Sequence, residues 1–265
     1  MPIIYSAIVP HSPIFLPNLE ETARNKVALS IQALTEIRTR LVELNPDTIF
    51  VIAPHDESKK REEQYTFHVP EHYKADFAEF GDIVTKTEYD SDIVLANQIK
   101  DKLTQEGIGV TYASDEKLDY SAGVPLEHIA KGLQVKVLVI HPPGKDLALI
   151  FADGSQIQKI LQESPKRIVC IASADLSHCL TQEAPLAFNQ SGVELDAHIV
   201  QWIKTKRSKN FLTISPELIE EVGACGIPSI VLLLGILKQI KHATSLISYE
   251  DAVGVGHAVA EYTIS

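Results

Sequence analysis

Four of the ten histidines stand where short apolar runs end: His11, His55, His141 and His178. If these runs are parallel β-strands, their carboxyl ends meet at one edge of a sheet, which is where ligands bind in open α/β sheets. Neutral imidazole is the commonest metal ligand in proteins, and it also serves as a general acid or base. The spacing therefore predicts a metal-binding or catalytic site at one sheet edge.

His11 and His55 share a local pattern, in which proline precedes the histidine and a hydroxyl or carboxylate residue follows it. The proline stiffens the turn, so the imidazole nitrogen can be held where a metal requires it. Each histidine alone could equally be a strand-end side chain bonded to a loop carbonyl. We interpret the two together with His178 as metal-binding or catalytic, and His141, which precedes Pro-Pro-Gly, as a turn residue.

Two further residues could take part in this chemistry. Asp175 lies three residues before His178, where a carboxylate can fix the imidazole tautomer and raise its basicity, or can cap a helix. Cys225 precedes the most apolar helical segment. A helix N-terminus lowers the pKa of a thiol toward the thiolate that binds metals, although a lone cysteine is commonly just a small buried hydrophobic residue.

Strands and helices must alternate to bring these residues together. Apolar β-branched runs predict strands over residues 3–9, 48–53, 135–140, 167–173 and 253–260. Segments of helical period predict helices over residues 19–44, 90–105, 155–163, 194–204 and 226–240. Nearly continuous apolar strands are typical of strands covered on both faces. We therefore expect an α/β fold with a central, mostly parallel sheet, helices on both faces and a single domain over residues 1–265.

Residues 56–81 mix charged and aromatic side chains without a clear period, which predicts a loop or lid insertion. Because this segment follows His55 directly, we expect it beside the site. The side chains expected to line a substrate wall are Tyr65, Phe67, His68 and Tyr73. The alternative is that Phe77 and Phe80 only anchor a surface loop.

Composition excludes several classes of function. The chain has 24 Lys+Arg against 35 Asp+Glu, and the net charge of −11 disfavours binding to nucleic acid or to anionic membranes. The apolar run 227–237 has about half of the roughly 20 residues that cross a bilayer. Three cysteines and no recognisable secretory signal indicate a cytoplasmic protein. A homo-oligomer is compatible with the sequence.

The ordered motifs resemble the class III extradiol ring-cleavage dioxygenases of the protocatechuate 4,5-dioxygenase B-subunit type, together with their non-oxygenase relative, the Memo family. The resemblance covers most of the chain. Its motifs are Pro10-His-Ser-Pro13, Ala53-Pro-His55, Asp76-Phe-Ala-Glu-Phe-Gly81, Leu118-Asp-Tyr-Ser-Ala-Gly-Val-Pro-Leu126, Ser173-Ala-Asp-Leu-Ser-His178, Ala224-Cys-Gly226 and Ser248-Tyr-Glu-Asp-Ala-Val-Gly-Val-Gly256.

This resemblance implies an α/β fold with one metal ion, held by His11, His55 and a third ligand near the start of a late helix. Cys225 occupies that neighbourhood, whereas the third ligand of oxygenase members is usually Glu. His178 matches the acid/base histidine of the family, which in Memo-like members joins the metal site instead. The implied catalytic residues are thus His178, Asp175 and Tyr120, with Fe(II) as the expected metal and Zn or Cu as alternatives.

The chain departs from the oxygenase pattern at two positions. Cys225 stands in place of a carboxylate. If this segment is aligned with the family motif in a shifted register, Glu220 or Glu221 is the third ligand instead. Tyr120 stands where oxygenases commonly carry a histidine near the O2 site. The first hypothesis is extradiol cleavage of a catechol-type aromatic with O2, and the alternative is a Memo-like metal-binding or accessory protein that does not cleave rings. A carboxylate third ligand favours the oxygenase, and a cysteine favours the Memo-like protein.

Overall fold

A computed structural model describes residues 2–19, 21–55, 63–144 and 146–265 of the chain. The strands are β1 Ile3–Val9, β2 Thr48–Ile52, β3 Tyr65–His68, β4 His72–Phe77, β5 Asp82–Asp90, β6 Val110–Ala113, β7 Lys136–His141, β8 Ile168–Ser173, β9 His242–Glu250 and β10 His257–Ile264. The helices are α1 Glu21–Asn25, α2 Ala28–Leu44, α3 Ile93–Gln105, α4 Tyr120–Ile129, α5 Leu147–Gln162, α6 Gln190–Lys204, α7 Pro216–Val222 and α8 Ile227–Leu237. Within these residues, no helix is long and apolar enough to cross a membrane.

An eight-stranded sheet lies at the centre, with the strand order β6-β3-β7-β2-β8-β1-β10-β9. Its middle strands β7, β2, β8 and β1 are parallel, while β10 and β9 continue the sheet antiparallel. At the other side, β3 runs antiparallel to β7 and parallel to β6. Strands β4 and β5 form a separate hairpin. The fold is the expected α/β class, with a mostly parallel sheet in one domain.

Helices cover both faces of the sheet. Because side chains alternate along a strand, Phe50 packs on one face with α3, α5, α6 and α8, while Ile49 and Val51 pack on the other with α2 and α4. Helix α8 is almost entirely buried. It packs closely on α5, since an added Cβ at Gly154 would lie 2.5 Å from the Leu232 carbonyl oxygen. The start of α8, just after Cys225, packs equally closely on the residue that follows β8, since an added Cβ at Gly226 would lie 2.4 Å from the Ala174 Cα.

The parallel register brings three strand ends together. Ala172 of β8 pairs with Ile8 of β1 on one side and with Ile52 of β2 on the other. The carboxyl ends of these strands therefore meet at one edge of the sheet, and the segments carrying His11, His55 and Asp175 leave from that edge.

Several expected elements differ in the structure. The last strand begins at His257 rather than at residue 253, because Val253 adopts a left-handed conformation (φ 54°) that interrupts extended backbone. The long predicted helix over 19–44 is divided into α1 and α2, and the predicted helix over 155–163 begins eight residues earlier, at Leu147. Strands β3, β4, β5, β6 and β9 were not expected.

The prediction of a loop over residues 56–81 is wrong for the part of this segment that the structure describes. Residues 56–62 lie outside the described residues, but 65–68 form β3 within the central sheet and 72–77 form β4. Tyr65, Phe67 and Tyr73 are fully buried, and His68 is nearly so. These side chains therefore belong to the core and do not form a substrate wall. Phe80 instead packs on Tyr120, the residue that stacks on His55.

A buried carboxylate joins α3 to the amino-terminal edge of the sheet. Asp92 accepts hydrogen bonds from Thr48 Oγ1 (2.6 Å), from Lys166 Nζ (2.6 Å) and from the Leu95 backbone N–H (3.1 Å). Burial alone would raise the pKa of Asp92, but the hydrogen bonds from Lys166 and Thr48 outweigh it, so the pKa falls below its usual range. The ionised Asp92 carboxylate therefore stabilises the folded state through its bonds to Lys166 and Thr48.

Replacing Asp92 by Asn should lower the free energy of unfolding by about 1–3 kcal/mol at neutral pH, because the charge-assisted bonds to Lys166 are lost. Since the folded-state pKa is below the ordinary value of 3.8, this stabilisation is complete above that value and is lost as the pH falls through the folded-state pKa. Urea unfolding at pH 7 and under acid conditions measures both effects. The exposed Asp90→Asn is the control, and equal stability of Asp92→Asn and wild type would contradict the assignment.

Candidate metal centre

His11 is the most firmly held residue at the shared sheet edge. It is 1% exposed, and its backbone N–H donates to Asp175 Oδ1 (2.9 Å). Its ring Nδ1 lies 3.0 Å from Ser173 Oγ, which itself donates to the Ser121 carbonyl. Because the Ser173 hydrogen is used in that bond, Ser173 accepts from Nδ1–H of His11. This arrangement leaves the Nε2 lone pair available to a metal.

His55 follows β2 and faces His11 edge-on, with ring centroids 5.2 Å apart. Its own ring stacks on Tyr120, the first residue of α4, at 5.3 Å and an interplanar angle of 23°. Phe80 packs edge-on against Tyr120, with the two ring centroids 5.2 Å apart. An aromatic wall of His55, Tyr120 and Phe80 thus borders the site.

Cys225 lies between α7 and α8. Gly223 ends α7 in the left-handed conformation (φ 68°), which turns the chain back toward the sheet edge. The Cys225 Sγ lies 3.5 Å from His11 Nε2, and one ligand atom from each of His11, His55 and Cys225 falls within 4.8 Å of the others. Metal bonds of about 2.0–2.3 Å in a tetrahedral site separate ligand atoms by roughly 3.3–3.8 Å. Small side-chain movements would therefore complete such a site.

The electrostatics suit neutral imidazole ligands. Burial lowers the pKa of His11 well below its usual value, and the neighbouring His55 and His178 lower it further. Burial also lowers the pKa of His55, although Asp119 and Asp175 partly oppose this. Both rings are therefore uncharged at neutral pH, which is the form that binds a metal.

The Cys225 thiol differs from the sequence-based expectation. Burial raises its pKa, and the nearby Asp175 carboxylate raises it further, so the helix N-terminus does not produce a free thiolate. A metal cation at this position would reverse the preference, since a coordinating thiol is deprotonated outright. Without metal, Cys225 is a protonated and weakly reactive thiol.

Asp175 is placed against His11 rather than against His178. Its Oδ1 accepts from the His11 backbone, and its Oδ2 lies 3.6 Å from His11 Nε2. His178 instead donates from Nδ1 to the Leu176 carbonyl (2.9 Å), which leaves its Nε2 as an acceptor. The expected pairing of Asp175 with His178 is therefore wrong. His178 still lies close enough to influence the pKa of both His11 and His55.

Tyr120 is held as a neutral phenol. Burial raises its pKa, and the nearby Cys225, Asp119 and Asp175 add to this effect. Glu220 and Glu221, the alternative third ligands, are exposed on α7 and do not belong to the group of His11, His55 and Cys225 whose ligand atoms converge. Glu221 accepts a hydrogen bond from Asn189 Nδ2 (2.6 Å).

His141 is the last residue of β7 and not a turn residue. Its Nδ1 donates to the Ala53 carbonyl (3.0 Å), and its ring packs on His68 with centroids 4.8 Å apart. It therefore joins the backbone that precedes His55 to the core. The sequence pattern did not show this because the neighbouring Pro142-Pro143-Gly144 suggested a turn.

Sequence reasoning missed His257 and Ser173. His257 is fully buried at the start of β10, where its backbone pairs with Asp175, and neither ring nitrogen has a hydrogen-bond partner among the described residues. Burial lowers the pKa of His257 to about 4; Asp175 opposes this shift, while His11 and His178 reinforce it. The Gly256-His257 sequence at the start of an apolar run was the available signal.

A protein-family model matches nearly the whole chain. A model described as the catalytic LigB subunit of aromatic ring-opening dioxygenase matches residues 5–260, and the chain belongs to that family.

Two relatives extend the comparison. Protein CA_C1420 of Clostridium acetobutylicum is 24% identical over 265 residues, which is 95% of this chain, and the chain spans 56% of that relative's length. The crystal structure of uncharacterized protein JW3007 from Escherichia coli K12 has a TM-score of 0.68 at 12% identity, covering 97% of this chain and 99% of that one. This second likeness shows a shared fold.

Proposed function

We propose that this chain is a Memo-like metal-binding protein of the ring-opening dioxygenase family, in which His11, His55 and Cys225 bind one transition-metal ion. One observation carries the proposal: three ligand atoms of suitable chemistry lie within 4.8 Å of one another. The hydrogen bonds of His11 to Ser173 and Asp175 support it, because bonds of this kind orient metal-ligating histidines.

The donor set fits a borderline or soft ion. Two neutral imidazoles and one thiolate suit Zn or Cu, whereas non-haem Fe(II) oxygenases typically use two histidines and one carboxylate. Cys225 therefore moves the preference away from the Fe(II) that the family resemblance implies. The same argument favours metal binding without ring cleavage as the function of the cleft.

Extradiol cleavage of a catechol-type aromatic with O2 is the second candidate, and the family description favours it. A bound metal would supply Lewis acidity and redox chemistry toward the substrate and O2. The residues of the chain would do the rest: Tyr120 and Phe80 would pack against the aromatic ring, and His178 Nε2 would accept a proton from a substrate hydroxyl. Asp175 would keep His11 oriented.

Replacing His178 by Ala separates these two functions. If the protein is Memo-like, His178 takes part in the metal site. We then expect the variant's metal affinity to fall by about 10–100-fold, which is the usual effect of removing a residue that supports the metal ligands. If it is an oxygenase, metal content should stay at the wild-type level while O2 uptake with catechols is lost. Metal analysis of anaerobically purified protein, followed by an O2-uptake screen, measures both quantities.

Full metal retention in His178→Ala, together with catechol-dependent O2 uptake by the wild type, would overturn the Memo-like assignment. Metal-free wild-type protein under all loading conditions would overturn both functions. A homo-oligomeric state, a cytoplasmic location and the absence of nucleic-acid or membrane partners stay predictions.

A further inference from the structure

A second site lies at the far end of α8 from Cys225. A cavity of about 440 Å³ opens there between α5, α8, the start of β9 and the segment that follows α6. We call it the basic cavity, because its rim carries Lys206, Arg207, Lys209 and Lys238. Its volume falls within the range of small-molecule binding sites.

The charge of this cavity contrasts with the rest of the molecule. The chain carries a net charge of −11, yet no aspartate or glutamate is among the described residues that line the cavity. Within the described parts of the chain, none of its four cations forms an ion pair with a carboxylate. Four cations around one cleft, with no carboxylate among its described lining residues, focus a positive potential that an anion would relieve.

The floor of the cavity is apolar. Phe151, Leu234 and Leu237 line it, and the Lys238 Nζ lies 5.6 Å from the centre of the Phe151 ring. Ser208 and Asn210 add hydrogen-bonding groups beside the cations. A ligand that fits this lining carries both a negative group and an apolar part.

The turn after α6 and the start of β9 form one wall of the basic cavity. Lys206 adopts a left-handed backbone conformation (φ 57°) just after α6, and the Arg207 backbone N–H bonds to the Trp202 carbonyl (2.9 Å), so the helix ends in a Schellman turn that brings Lys206 and Arg207 to the rim. The Lys206 Nζ lies 3.5 Å from the His242 carbonyl, at the start of β9. The hydroxyl of Thr244 lines a separate small pocket that shares Lys206 and His242 with the cavity, and it has no hydrogen-bond partner in the described structure.

Helix capping accounts for only part of this arrangement. Lys206 and Arg207 follow the end of α6, and Lys238 follows the end of α8, where cations interact favourably with the helix dipole. That role explains the cations at each helix end, but it does not explain why they surround one apolar cavity. We propose that the basic cavity binds a small organic phosphate that carries an apolar group.

Phenyl phosphate is the probe that tests this site, with inorganic phosphate and an acidic phosphate-free peptide as comparisons. Isothermal titration of the full chain should give saturable phenyl phosphate binding, at least tenfold tighter than inorganic phosphate and weaker at high salt. The double variant Arg207→Gln/Lys209→Gln should weaken binding at least tenfold. The variant Phe151→Ala should reduce the preference for phenyl phosphate over inorganic phosphate.

The matched control is Lys86→Gln/Lys159→Gln, which removes two exposed cations elsewhere and should bind phenyl phosphate like the wild type. Thermal unfolding of each variant establishes that it is folded. Absence of saturable binding, equal loss in both double variants, or tighter binding of the acidic peptide would each overturn the proposal. Because the cavity is remote from Cys225, the result does not depend on the metal content of the protein.

Discussion

Replacing His11 by Ala will lower metal affinity by about two to three orders of magnitude. Structural metal sites built from His and Cys gain about 10–16 kcal/mol from four ligands, so each ligand supplies roughly 2.5–4 kcal/mol. Each 1.4 kcal/mol corresponds to a factor of ten in affinity. Among the three candidate ligands, His11 is also the most buried, and its position is determined by Ser173 and Asp175.

Competition titration against a chelator of known affinity, together with metal analysis after dialysis, measures this effect. His72→Ala is the matched control, because His72 is an exposed histidine of the β4–β5 hairpin bonded to Asp90 (2.9 Å). It should bind metal like the wild type. If His11→Ala keeps wild-type affinity, the metal is held elsewhere and the proposed centre is wrong.

Cys225→Ser should weaken Zn or Cu(I) binding by at least about a hundredfold, because a serine hydroxyl is a harder and weaker ligand for these ions than a thiolate. The substitution is nearly isosteric, so the core around α8 should stay intact. In protein loaded with Co(II) or Cu(II), the absorption band from thiolate-to-metal charge transfer should disappear. Affinity titration and absorption spectra report two separate consequences of one ligand change.

Two controls make the Cys225 result specific. Cys179→Ser alters another buried thiol, which is paired with the Asn189 carbonyl (3.9 Å), and it should leave metal affinity unchanged. Glu221→Gln should also be silent, since Glu221 is exposed on α7. Undiminished metal in Cys225→Ser combined with loss in Glu221→Gln would restore a carboxylate ligand and favour the oxygenase.

The parallel centre of the sheet could be predicted from sequence because its strands are buried on both faces. Strands β1, β2 and β8 are continuous apolar runs, so the sequence shows where they end. It therefore also predicts that His11 and His55 lie near those strand ends. Cys225 could be placed near them only through the family resemblance, since nothing local to it indicates a partner 214 residues away.

The rest of the fold was hidden for physical reasons. Strand β3 has only four residues, and β4 alternates exposed polar with buried residues in a way that also fits a loop anchored by aromatics. The partner of Asp175 could not be predicted because sequence distance favoured His178, while the sheet register places the Asp175 carboxylate against His11. The pairing of residues far apart in the sequence determines these strands and the partner of Asp175. A local sequence pattern does not indicate such pairing.

The candidate ligands come from distant parts of the chain, and under the proposed function this determines when a metal can bind. His11 and Cys225 are 214 residues apart, so at about 5–20 residues per second roughly 10–40 s separate their synthesis on the ribosome. A nascent chain can present one or two of these ligands, but the three converge only after β1, β2 and β8 have paired. Under the proposed function, loading therefore follows folding, and we expect the shape of the finished cleft, rather than the first ion encountered, to select the metal.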